Sequence, residues 1–213
     1  DIISINSNFK NIGLFFNQLT DEKQRSDDNN FKYSKGKLFY LNKSVNIKYR
    51  PKGDRVIHYN PDKPSFQVKI KNSKSSVNGI KEFSLQSPVI RNYIVELLWY
   101  ELLKNEEIIT PDYSFKKLIL NGVDYGIYNI EEKPTTFMLE RLMKKNSSIL
   151  KFDESYTTSI DLNPEIRVVN SGDVDFKNQE LAVSKLRGFV AGQNSVSETF
   201  DVKKMAAFFA LSD

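Results

Sequence analysis

The sequence predicts an α+β chain: an antiparallel sheet carrying one packed helix, followed by a partial helical lobe. Three observations carry this expectation. Short runs alternating apolar and polar residues crowd the stretch from Phe31 to Glu132. A helix apolar on nearly every side interrupts them near Val89–Lys104. Helical spacing then dominates beyond Pro134. Three segments follow: an N-terminal extension over 1–30, a sheet lobe over 31–133 containing the helix 89–104, and a partial helical lobe over 134–213.

Composition bounds the chemistry. The 213 residues carry 31 basic and 27 acidic side chains, a net charge of +4 that is too mild to argue for nucleic acid. With no cysteine, thiolate metal sites, disulfides and cysteine nucleophiles are excluded. His58 is the one histidine and is expected on a loop, which argues against a histidine–carboxylate catalytic pair. No run reaches the length of a membrane helix and no signal peptide is seen, so no membrane span is expected. The abrupt start at Asp1 reads as that of a trimmed or mature chain.

Taken in order, Asp1–Gln18 holds apolar pairs of ambiguous period, and Asp21–Asn30 reads as an exposed polar loop. Strands are expected at Phe31–Tyr33, Lys37–Leu41 and Val45–Arg50. Pro51–Arg55 is then a basic, glycine-containing turn. A further strand, Ser65–Lys71, sets Phe66, Val68 and Ile70 on one face and Gln67 and Lys69 on the other. In the helix 89–104, Glu96 stands among Val95, Leu97, Trp99 and Tyr100, where a carboxylate needs a partner. The next signal is the strongest: Leu118-Ile-Leu-Asn-Gly-Val-Asp-Tyr-Gly-Ile-Tyr-Asn-Ile-Glu-Glu132 reads as a β-hairpin turning at Asn121-Gly122. Gly126 in its second strand marks a bulge or a close approach. Helices near 135–144, 180–190 and 202–211 and a strand at Ser148–Phe152 complete the chain, with an irregular loop over 153–163.

No P-loop, Rossmann, HExxH, GxSxG or EF-hand pattern is present. What remains is an order of elements: glycine turn, strand with a lysine, helix with an embedded glutamate, hairpin ending in a carboxylate, then helices. A protein-kinase-like small lobe uses this order, because phosphoryl transfer needs a phosphate-binding lysine held in place by a carboxylate.

The spacing Asn121-Gly122, Gly126, Tyr128, Glu132 resembles the strand NG-x-x-x-G-x-Y-x-x-x-E of the CotH-type (spore coat protein H-like) kinase family. The likeness extends over roughly Lys37–Asp213. It includes Arg50, Lys52 and Gly53; Lys63-Pro64-Ser65-Phe66 with Lys69; Glu96, Tyr100, Glu101 and Leu102; Leu150-Lys151; and Phe200-Asp201 followed by Met205–Asp213. Val95 and Glu107 replace the family's arginine and glycine, and the glycine before Leu150 is missing. The resemblance implies a kinase-like fold and transfer of phosphate from ATP, with Mg²⁺ or Mn²⁺, to Ser/Thr hydroxyls of secreted, spore-coat or surface proteins. It implies nucleotide-binding roles for Arg50, Lys52, Lys69, Glu96 and Glu132, and a catalytic role for Asp213. In the family an Asp-rich metal motif follows that aspartate. A chain stopping at Asp213 is therefore expected to lack part of the active site, and to be inactive alone.

Each assignment has a plainer rival. Arg50, Lys52 and Arg55 are a solvated basic turn or a phosphate-facing cluster. Lys69 is a solvated strand lysine or the partner of Glu96, with Lys63, Lys71 and Arg50 as competitors for that carboxylate. Glu131 and Glu132 are surface charges, or Glu132 belongs to a hinge near the adenine. The whole chain is an enzyme or a non-catalytic binding or surface-assembly module; an adhesin-like carbohydrate module rests on aromatic content alone.

Overall fold

The computed structural model describes residues 1–21, 30–53, 55–72, 74–144, 146–153, 165–169 and 176–212. The chain divides into two compact units, Asp1–Glu101 with Pro111–Lys133, and Leu102–Thr110 with Pro134–Asp213.

The first unit is a closed barrel. Its strands are β1 (Ile2–Asn6), β2 (Ser34–Tyr40), β3 (Lys43–Pro51), β4 (Phe66–Ile70), β5 (Glu82–Gln86), β6 (Tyr113–Leu120) and β7 (Val123–Glu132). Around the barrel they run β1-β2-β3-β4-β5-β7-β6. Neighbours are antiparallel except β1 and β6, which pair in parallel, Ile3 opposite Leu118, and close the sheet. This closed, mixed barrel corrects the expected antiparallel, kinase-like sheet with the helix 89–104 packed on it. Two strands escaped the periodicity reading. β1 lies within the segment read as an extension, and β5 is short and carries Ser84 between Phe83 and Leu85. Phe31–Tyr33, expected as a strand, is irregular, although Phe31 is buried.

The helix that packs on this barrel is α1 (Phe9–Thr20), capped by the Asn8 side chain. Its Phe15 and Leu19 are fully buried. Phe15 stacks on Phe66 with ring centroids 4.5 Å apart and leans on Tyr49. Ile3, Ile5, Leu38, Ile47, Val68, Phe83, Leu85, Leu118 and Tyr128 fill the interior around them. The expected helix 89–104 is a different object. Pro88–Arg91 form a 3-10 turn, Asn92 and Tyr93 take positive φ (51° and 60°), and only then does α2 (Val95–Asn105) begin. Of its residues Leu103 alone is buried, while Val95, Leu98 and Leu102 stand exposed. An apolar sequence all round a helix says that it wants cover; it does not say that the sheet supplies it.

The organising hairpin forms as expected from β6 and β7, with Asn121 and Gly122 at φ 48° and 84°. The ladder steps from Leu118 opposite Gly126 to Ile119 opposite Asp124, leaving Tyr125 as the extra residue of a bulge. Gly126 takes φ 73°, and Lys63 Nζ reaches in to donate to the Tyr125 carbonyl at 2.5 Å. Bulge and close approach are therefore the same event.

In the second unit α3 (Thr136–Arg141) buries Met138 and Leu139. A two-stranded sheet pairs β8 (Leu150–Asp153) with β9 (Glu165–Val168). α4 (Phe176–Val190), α5 (Val196–Thr199) and α6 (Val202–Ser212) follow. Ser195 and Glu198 form a capping box at α5, and Phe189 meets Phe200 edge to face at 4.9 Å. The loop expected over 153–163 falls almost entirely outside the described residues, as does most of the one over 21–30.

Candidate functional site

Alternation along the barrel strands decides what faces outwards. Tyr49, Val68, Phe83 and Ile130 point into the core, so the residues between them point out. Strand register then sets Arg50, Gln67, Ser84, Glu131 and Tyr113 in one transverse row across β3, β4, β5, β7 and β6. A barrel's outer face is commonly wet, yet Arg50, Gln67, Ser84 and Tyr113 are all buried. Covered polar groups must find partners. The next row places Gln86 opposite Asn129, both fully buried.

Glu131 is the hub of this surface. Its Oε2 accepts from Gln86 Nε2 at 2.9 Å and from Arg91 Nη2 at 3.2 Å, and lies 3.9 Å from Lys52 Nζ. Lys52 Nζ donates to Ser84 Oγ at 2.7 Å. The ammonium is thus held by two neighbours on adjacent strands. Glu96, at the start of α2, belongs to the same electrostatic group. Burial pulls the Arg91 guanidinium down, but Glu131 and then Glu96 outweigh it and hold Arg91 above its usual range. Burial first, then Glu131 and Glu96, push the Tyr100 phenol up; Glu96 also shares a hydrogen bond with it. Tyr113, edge to face with Tyr100 at 5.6 Å, is pushed up to about 12 by burial and by Glu96 and Glu131.

Beside this hub lies a cavity of about 460 Å³. Lys52, Arg55, His58, Gln86 and Arg91 supply its polar lining, with Gly53, Ile57, Val89, Ile90 and Asn92. Among the described residues, these three cations outnumber the carboxylates Glu131 and Glu96 of the same network, a balance that suits an anion. The donor set, two guanidinium groups and an ammonium, fits the oxygens of a polyphosphate.

The expected site residues separate on this geometry. Lys52 lines the cavity, as does Arg55. Arg50 does not; its Nη1 donates to the Pro51 carbonyl at 3.0 Å and its guanidinium lies over the Tyr33 ring. Lys69 pairs with Glu82 at 3.1 Å, which corrects the expected pairing with Glu96. The cause is register: Lys69 stands opposite Glu82 on β5, the strand that the sequence pattern did not reveal. Lys63 serves the hairpin bulge. Glu132 is buried, its Oε2 accepting from the Asp112 N–H at 3.1 Å, while its own N–H donates to the Asp112 carbonyl. His58, expected on a loop, sits buried on the 3-10 turn Val56–Tyr59. Asp213 lies outside the described residues. Among the described residues, no group of three or more His, Asp or Glu side chains could hold a metal ion. Glu131 and Arg91 were missed as site residues, because only strand pairing shows that Glu131 stands beside Ser84 and faces Lys52.

A comparison with protein-family models matches residues 49–212 to the one described as CotH kinase protein. No curated protein matches the chain. The matched span includes Arg50, Lys52, Lys69, Glu96, Glu131 and Glu132, and leaves out β1, α1 and β2.

Proposed function

Because this chain belongs to the CotH kinase family, we propose that it transfers phosphate from ATP to serine or threonine hydroxyls of secreted or surface proteins, with Mg²⁺ or Mn²⁺. The observation that carries the reading is the Lys52 ammonium, fixed by Ser84 and Glu131 at the edge of a cavity lined by Arg55 and Arg91. Phosphoryl transfer is mostly positioning and neutralisation of negative charge. Lys52, Arg55 and Arg91 bind the nucleotide's phosphate oxygens, and Glu131 keeps Lys52 and Arg91 from wandering. Glu96 steadies Arg91. Glu132 holds the end of β7 to Asp112, and Arg50 and Lys69 brace the sheet around Tyr33. Asp213 is the catalytic carboxylate that receives the proton of the attacking hydroxyl. The divalent ion, when bound, neutralises charge on the phosphates. A metal-dependent kinase of this kind acts on a protein partner and needs no membrane span; among the described residues no helix is long and apolar enough to cross one.

The test is calorimetric titration of ATP and ADP with Mg²⁺, beside transfer of labelled γ-phosphate to protein acceptors. The protein is expected to bind both nucleotides, and Lys52→Ala to lose about 2 kcal/mol of that binding, the worth of one or two charge-assisted hydrogen bonds. Nucleotide affinity unchanged by Lys52→Ala removes this cavity as the phosphate site. Failure to bind either nucleotide points to the assembly-module alternative.

A further inference from the structure

We infer that His58 is the positioning residue of the anion cavity: it braces the Lys52–Gly53 turn against Ser65 and so sets where the Lys52 ammonium stands. The inference rests on the reading of the cavity as a phosphate site.

Four contacts knit this segment together. His58 Nδ1 and Ser65 Oγ share a hydrogen bond of 2.9 Å. The Ser65 N–H donates to the His58 carbonyl at 2.9 Å, and the Lys52 N–H donates to the Ser65 carbonyl at 3.1 Å. The Tyr59 hydroxyl donates to the Gly53 carbonyl. Lys52 and His58 are therefore tied to the same residue, Lys52 through backbone and His58 through backbone and side chain both. Ser65 is fully buried, so this anchor does not exchange with water.

Gly53 shows that the imidazole itself fills the space. It takes φ 118°, a conformation that side chains rarely adopt, and a Cβ placed there would overlap the His58 ring. The Gly53 backbone packs directly against the His58 side chain. His58 is buried yet lines the cavity beside Lys52, Arg55 and Arg91. Nδ1 is directed at Ser65, and the ring packs on the turn that carries the lysine.

The experiment measures tripolyphosphate affinity and thermal unfolding midpoint together, for wild type, His58→Asn, His58→Phe and Ser65→Ala. Asparagine keeps a polar atom near the place of Nδ1 and is expected to bind within about threefold of wild type. His58→Phe keeps a ring but loses the bond to Ser65, and is expected to weaken binding by about tenfold or more, as a misplaced binding group does. Ser65→Ala removes only the hydroxyl and is expected to weaken binding in the same direction, which keeps the test decisive if the phenylalanine variant does not fold. Because the chain has one histidine, its imidazole C–H resonances are assigned without ambiguity and are expected to shift on adding tripolyphosphate. Folded His58→Phe and Ser65→Ala proteins that bind like wild type overturn the inference, as does loss of binding in His58→Asn equal to that in His58→Phe. If wild type itself does not take up tripolyphosphate, the reading of the cavity fails and this inference fails with it; wild-type binding with silent His58 and Ser65 variants defeats this inference alone.

Discussion

Two lysines on the outer face of the barrel make the most instructive pair in the molecule. Lys69 on β4 meets Glu82 at 3.1 Å; Lys52, just past β3, approaches Glu131 at only 3.9 Å. By distance the first pair is the better one. Their surroundings reverse the ranking for function. The Glu82 carboxylate answers the Lys69 charge at close range. Glu131 is divided among Lys52, Arg91 and Gln86 beside a cavity that Arg55 also lines, so among the described residues cations predominate there. An ion pair's length reports its geometry; the number of cations sharing the carboxylate reports what is left over for a ligand.

The largest expected break of this comparison is at the carboxylates. The Glu131 side chain is 14 % exposed and serves Gln86, Arg91 and Lys52, so Glu131→Gln strips the shared carboxylate charge from two half-buried cations. We expect about 3 kcal/mol of lost stability, from the cost of stripping one partner from a buried pair. The Lys69 side chain is 35 % exposed, and Glu82→Gln is expected to cost under about 1 kcal/mol, as for partly solvated pairs. Urea denaturation of both variants reads the difference, and equal losses would erase the distinction drawn here.

Next in size is the effect on ligand. Set against the roughly 2 kcal/mol expected for Lys52→Ala, Lys69→Ala should change ATP affinity by less than about 0.5 kcal/mol, since its charge is already answered and it does not line the cavity. Calorimetric titration of the two variants side by side sharpens the contrast; a Lys69→Ala variant that loses as much as Lys52→Ala would move the phosphate site to β4.

The smallest effect is alkaline. Burial and the carboxylates Glu96 and Glu131 raise the Tyr113 phenol to about 12, above its unfolded value near 10. Over that interval the folded chain holds a proton that the unfolded chain has lost, so the contribution is complete below about pH 10 and disappears as pH rises towards 12. Tyr113→Phe removes that dependence. It also deletes a buried hydroxyl with no hydrogen-bond partner among the described residues, so near pH 7 its stability should match or exceed wild type by up to about 1 kcal/mol. Thermal unfolding midpoints followed from pH 8 to pH 12 check both statements; a steeper alkaline loss in Tyr113→Phe than in wild type would contradict the sign.

The hairpin of β6 and β7, its Asn121-Gly122 turn and the irregularity at Gly126 are legible in the residues alone, because turn chemistry and backbone sterics act between near neighbours. The sequence determined which faces of β3 and β4 are apolar, because side-chain alternation is local as well. Its ordered motifs carried the family, and Lys52 and Glu96 were picked out in it. Who sits beside whom is a matter of long-range pairing. β1 closes the barrel against β6, more than a hundred residues away in the chain, and nothing in Ile2–Asn6 encodes that choice without β6 present. β5 takes Lys69 through Glu82 and sets Ser84 and Gln86 beside Glu131, turning a carboxylate that reads as a surface charge into the centre of the site. Periodicity specifies the face of a strand; its neighbour is settled by long-range pairing, and that neighbour decided whether each lysine was neutralised or left with charge to offer a ligand.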